Sequence, residues 1–124
     1  MIRVMLVATH SEVREGLAAV LRLADGLEVS GTAGSLVGAV TLAREGCPGV
    51  VLVDLEMPGG EGYETIRELK RVCPGAQAIA LTAHDYPAAR EKALGAGACR
   101  VIVKGLDFAE LVAAIEIVVG SPLT

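Results

Sequence analysis

Aromatic side chains are almost missing from this chain, which has no Trp, two Tyr and one Phe. That scarcity excludes a stacking platform for bases or for a flavin ring. Basic residues are also in the minority, with 11 Lys and Arg against 15 Asp and Glu and a formal net charge of -4. Contact with phosphate backbones needs a basic face, so this segment is not expected to bind nucleic acid by itself. Long apolar runs are missing too: none approaches the ~20 residues that cross a bilayer. Met1-Ile2-Arg3-Val4 reads as the start of a strand, not as a signal peptide. Cysteine is sparse. Cys47, Cys73 and Cys99 are too widely spaced for a metal knuckle and odd in number. Reduced thiols that pack in a cytoplasmic protein are therefore expected.

What the chain has in plenty is apolar sequence, 52% hydrophobic against 21% charged. That balance suggests a sheet buried on both faces. One domain is expected from 124 residues, long enough to bury roughly two thirds of its unfolded surface. Short β-branched runs alternate with helical stripes. Residues 3–7 read as a strand, and Glu12 to Leu23 as a helix with Val13, Leu17, Val20 and Leu21 on one face. Residues 27–31 form a half-exposed edge strand, and Ser35 caps a helix running to about Glu45. Residues 50–54 are the most apolar strand, hence central. After the Met57-Pro58-Gly59-Gly60 turn comes a helix marked by Tyr63, Ile66, Leu69 and Val72 and stopped by Pro74-Gly75. Residues 77–82 are a strand, Pro87 opens a helix ending near Gly95-Ala96-Gly97, and residues 100–103 are the last strand. Asp107 caps a final helix whose Leu111, Ala114, Ile115 and Val118 face inward. Such βα alternation implies a parallel sheet with right-handed crossovers and helices on both faces. The domain is expected over residues 1–119. Residues 120–124 read as the start of a linker to an output domain outside this chain.

Each of four apolar runs stops at a small polar address. Val50-Val51-Leu52-Val53 ends at Asp54, Ala78-Ile79-Ala80-Leu81 at Thr82, and Val101-Ile102-Val103 at Lys104. The first run, Val4-Met5-Leu6-Val7, ends at Ala8-Thr9. In a parallel sheet these ends share the edge where open α/β folds place their ligand sites. A carboxylate, a hydroxyl and an ammonium then converge, while the fourth corner is chemically nearly blank.

Asp54 followed by Met57-Pro58-Gly59, with strand-end Thr82-Ala83 and strand-end Lys104, resembles the receiver domain of two-component response regulators. Val13-Arg14-Glu15-Gly16-Leu17 and Ala93-Leu94-Gly95-Ala96-Gly97-Ala98 look like receivers joined to a LuxR-type helix-turn-helix. The resemblance covers the whole chain. It implies an α/β, doubly wound, five-stranded parallel sheet of order 2-1-3-4-5, the flavodoxin-like (CheY-like) three-layer sandwich. It also implies Asp54 as phospho-acceptor, Thr82 as the hydroxyl that contacts the phosphoryl group, and Lys104 as the cation beside it. A sensor histidine kinase and a DNA-binding output domain would be the partners, and a homodimer is plausible by resemblance, with Val112, Ile117 and Val119 as its face. No independent enzyme activity is expected.

The departures from the pattern matter more. The family carries two acidic residues at the end of the first strand to hold Mg²⁺, and this chain has Ala8 and Thr9. Mg²⁺ favours near-octahedral oxygen donors that include carboxylates, so the site looks incomplete and no bound cofactor is expected. Three residues before Lys104 the family's aromatic switch residue is replaced by Val101, and the frequent proline after the lysine by Gly105. With one carboxylate left, Asp54 and Lys104 are expected to neutralise each other as an ion pair. The leading expectation is thus an atypical receiver in transcription regulation that works with little or no phosphorylation. One alternative is an ordinary Mg²⁺-dependent acceptor at Asp54, aided by Thr9 and Glu56. A second is a flavodoxin-like protein that binds a small ligand at Thr9-His10-Ser11. Glu56, His10, His84 and Asp85 are otherwise read as solvated loop residues.

Overall fold

The computed structural model describes residues 1–105 and 107–120, apart from the Phe108 side chain. The expected linker residues 121–124 lie outside the described residues. Strands β1 (Ile2–Val7), β2 (Leu27–Ala33), β3 (Val50–Asp54), β4 (Gln77–Thr82) and β5 (Ala98–Val103) alternate with helices α1 (Ser11–Leu21), α2 (Leu36–Glu45), α3 (Glu61–Val72), α4 (Pro87–Ala96) and α5 (Phe108–Val119). The strands form one sheet of order β2-β1-β3-β4-β5, and every pairing is parallel. This is the doubly wound, flavodoxin-like sandwich that the resemblance implied.

Alternation along each strand divides the core in two. Val51 and Val53 join Met5, Val7, Ala78 and Ala80 on one face, closed by Ala39 and Ala43 of α2, Ile66 and Leu69 of α3, and Ala93 of α4. Val50 and Leu52 join Val4, Leu6, Ile79 and Ile102 on the other, closed by Ala18 and Leu21 of α1 and Leu111 and Ile115 of α5. All five residues of β3 are buried, as its uninterrupted apolar run required. Ser35 accepts a hydrogen bond from the Gly38 N–H at 3.1 Å, and Asp107 from that of Glu110 at 2.8 Å, so both expected caps form.

The cysteine expectation needs correction. Cys47 and Cys73 are joined in a disulfide, with Cα atoms 5.7 Å apart across 26 residues of sequence, and only Cys99 is a free thiol. Packing of α2 beside α3 causes this: Cys47 follows the end of α2 and Cys73 caps the end of α3, so a wide spacing in sequence becomes a short one in space. The residues of the expected self-association face differ in exposure. Val112 and Val119 pack against the α1/α5 core, whereas Ile117 is 64% exposed.

Candidate functional site

The C-terminal ends of β3, β4 and β5 deliver Asp54, Thr82 and Lys104 to one rim. Asp54 is the last residue of the fully buried β3 and is 1% exposed. Parallel pairing sets Asp54 beside Leu81 and Thr82 beside Val103, and Lys104 follows directly. The Lys104 N–H donates to the Thr82 carbonyl at 2.7 Å, and the Leu55 N–H to the Leu81 carbonyl at 2.8 Å, which carries the ladder past the formal strand ends.

The turn beyond Asp54 is tightly made. Gly59 and Gly60 take positive φ, +66° and +74°, which side chains other than glycine adopt at a cost. They bring α3 back so closely that a Cβ on Gly62 would stand 2.7 Å from the Asp54 carbonyl oxygen. Asp54 Oδ1 accepts the Glu56 N–H at 2.9 Å, a local turn of the kind aspartate favours.

Lys104 Nζ lies 2.7 Å from Asp54 Oδ1, so the expected ion pair forms. It also lies 3.3 Å from Glu56 Oε2. Burial pulls the Lys104 ammonium down, but the bond to Asp54 and the charges of Asp54 and Glu56 outweigh it and set its pKa above the ordinary value. Thr82 is 4% exposed. Its hydroxyl stands 3.1 Å from Glu56 Oε1 and 2.8 Å from the His84 carbonyl, and accepts the His84 N–H at 3.2 Å. The single hydroxyl proton serves one of those two acceptors at a time.

Glu56 is the residue that sequence reading undervalued. Expected as a solvated loop carboxylate, it instead bridges the other members of the site: Oε1 also accepts the Ala83 N–H at 2.7 Å. Burial pushes the Glu56 carboxyl up, yet the Ala83 bond, the contact with Asp54 and the Lys104 charge together hold it below its ordinary value. An acid two residues beyond Asp54, facing a Thr-Ala pair and a lysine, was the signal that could have found it.

The end of β1 makes the fourth corner. Ala8 is buried and apolar. The Thr9 hydroxyl oxygen is buried without a hydrogen-bond partner. The Ala8 and Thr9 carbonyls both accept from Arg14 Nη1, at 2.7 and 3.0 Å, which brings a fixed positive charge to this strand end. Among the described residues no group of three or more His, Cys, Asp or Glu is arranged to hold a metal ion. The donors present do not fit Mg²⁺: Asp54 and Glu56 already share an ammonium, and the strand end at Ala8 and Thr9 carries no carboxylate. Val101, which replaces the family's aromatic residue, packs into the α2/α3/α4 core. His10, His84 and Asp85 are exposed, and Asp85 pairs with Arg90.

A family model described as the response regulator receiver domain matches residues 4–116. Response regulator GacA of Pseudomonas viridiflava is 41% identical over 118 residues, covering 95% of this chain and 55% of that protein. The chain thus spans about half the length of the curated relatives it matches. Among solved structures, a LuxR-family two-component response regulator from Aurantimonas sp. SI85-9A1 superposes with a TM-score of 0.88 at 36% identity, covering 98% of this chain and 88% of that one. The signal receiver domain of the response regulator NarL from Mycobacterium tuberculosis gives 0.84 at 30% identity, with 92% of each chain covered.

Proposed function

Because this chain belongs to the response regulator receiver family, we propose that it is a receiver module whose switching does not depend on Mg²⁺-assisted phosphorylation of Asp54. One observation carries the reading: the Asp54 carboxylate is neutralised by Lys104 at 2.7 Å, while Ala8 and Thr9 offer no acid at the neighbouring strand end. Phosphoryl transfer needs positioning and charge neutralisation far more than covalent help. In this site the neutralising charge is spent on the resting carboxylates. Asp54 remains the candidate acceptor, Thr82 the candidate reporter of an added charge, and Lys104 its candidate counter-ion.

The same reading places the module upstream of transcription. A DNA-binding output domain would follow it in a longer protein, since the curated relatives are nearly twice its length. A sensor histidine kinase is the partner that family membership suggests, and a homodimer through the α5 face around Ile117 its mode of self-association. No helix among the described residues is long and apolar enough to cross a membrane. A cytoplasmic location goes with the proposed kinase and DNA-binding partners. The module has a signalling role and no turnover of its own.

The test is incubation with a small acyl phosphate donor and Mg²⁺, read by intact mass. An unchanged mass supports the proposal. A gain of one phosphoryl group that Asp54→Asn abolishes overturns it in favour of an ordinary acceptor.

A further inference from the structure

Three donors beside Asp54 come within reach of one further carboxylate. Ala83 N–H at 2.7 Å and the Thr82 hydroxyl at 3.1 Å meet Glu56 Oε1, and Lys104 Nζ at 3.3 Å meets Oε2. A backbone N–H, a hydroxyl and an ammonium converging on one volume make a seat for an oxyanion. A phosphoryl group built on Asp54 would need these same donors, because Lys104 already sits 2.7 Å from Asp54 Oδ1. It would also set a second anion against the Glu56 carboxylate.

We propose that the Glu56 side chain is a built-in occupant of this oxyanion seat, holding the β4–α4 connection in an anion-bound arrangement and competing with any phosphoryl group on Asp54. This deepens the reading above and rests on it. Glu56 is well suited to the task. Its own N–H is anchored to Asp54 Oδ1 at 2.9 Å, so the side chain starts within reach of the seat and binds as an intramolecular ligand. Its carboxylate charge matches the seat, and its two oxygens divide the donors between them. The side chain is 39% exposed, so it can leave into water without unfolding the sheet edge. An occupant that must leave lowers the apparent affinity for any competitor by the fraction of molecules in which the seat is open. Held inward by Glu56, Thr82 still accepts the His84 N–H at 3.2 Å and so fixes the residues that follow it.

The experiment uses the whole chain with Glu56→Ala and Glu56→Gln. In ¹⁵N-labelled protein, hydrogen exchange at the Ala83 amide should quicken at least tenfold in Glu56→Ala, with Glu56→Gln between it and the parent. In parallel, Ala8→Asp and Thr9→Asp are introduced together to restore strand-end acids. In that background Asp54 should gain a phosphoryl group from an acyl phosphate with Mg²⁺ at least tenfold faster when Glu56→Ala is added. Unchanged Ala83 exchange overturns the proposal, and so do equal labelling rates at whatever level. Neither result touches the reading of the unsubstituted chain, which fails only if that chain itself is labelled at Asp54.

Discussion

Lys104 and Asp54 meet at 2.7 Å across the ends of β5 and β3, with the carboxylate 1% exposed and the lysine side chain 29% exposed. The asymmetry determines what each contributes. Removing the lysine strands a buried carboxylate, whereas removing both partners leaves nothing to desolvate.

Lys104→Met should therefore lower unfolding free energy by about 2 kcal/mol, below the 3–5 typical of a fully buried pair because water reaches the lysine. Asp54→Asn combined with Lys104→Met should recover most of that loss. Urea denaturation of the four proteins in the cycle measures both numbers. A double variant less stable than Lys104→Met would contradict the account.

The pH profile follows from two opposite shifts. Glu56 titrates below its ordinary value in the fold, so its contribution is present above the unfolded pKa of about 4.3 and fades as pH falls through the lower folded value. Lys104 titrates above its ordinary value, so its contribution is complete below about 10.4 and fades as pH rises through the higher folded value. The contribution of this pair should be flat between these limits. Urea midpoints from pH 3 to 6 should fall less steeply in Glu56→Gln than in the parent; parallel curves would remove Glu56 from the network.

The disulfide gives a simple count. Denatured without reductant, the protein should show a single reactive thiol, Cys99, and three after reduction. The bond spans 26 residues, for which the chain-entropy model gives about 3.5 kcal/mol of stabilisation. Reduction should lower the melting temperature accordingly, and Cys47→Ser should reproduce that drop in the absence of reductant.

Strand ends were legible in the sequence because fully buried parallel strands read as plain apolar runs. The first polar residue after each run then marks the rim. Asp54, Thr82 and Lys104 were found that way, and so was the chemically poor corner at Ala8 and Thr9. Glu56 was not, because its side chain is held by Ala83 and Lys104, which follow β4 and β5 and lie far from it in sequence. The Cys47–Cys73 bond was hidden for another reason. It depends on α2 lying beside α3, a packing relation between segments 26 residues apart. The inward stripe of the last helix was legible because Leu111, Ala114 and Ile115 recur at helical spacing, and all three are buried.

Gly62 offers the most direct test of how the turn holds Asp54. A Cβ there would stand 2.7 Å from the Asp54 carbonyl oxygen and 3.0 Å from Leu55 Cα, both backbone atoms with little freedom to yield. Helix α3 would have to move off the end of β3, since Gly62 is itself buried in the helix's first turn. Alanine raises helix propensity by about 1 kcal/mol at an unhindered site, so the sign of the change separates the two effects. Gly62→Ala should destabilise by about 1–3 kcal/mol, the range for overpacking a close contact. It should also shift the Glu56 and Ala83 amide resonances, because the Asp54 carboxylate and the Glu56 bridge ride on the same turn. Gly95→Ala is the control, since a Cβ there meets nothing within 4 Å, and it should be neutral or stabilising. A stabilised Gly62→Ala protein would mean that the approach of α3 is looser than described and that Asp54 is positioned by β3 alone.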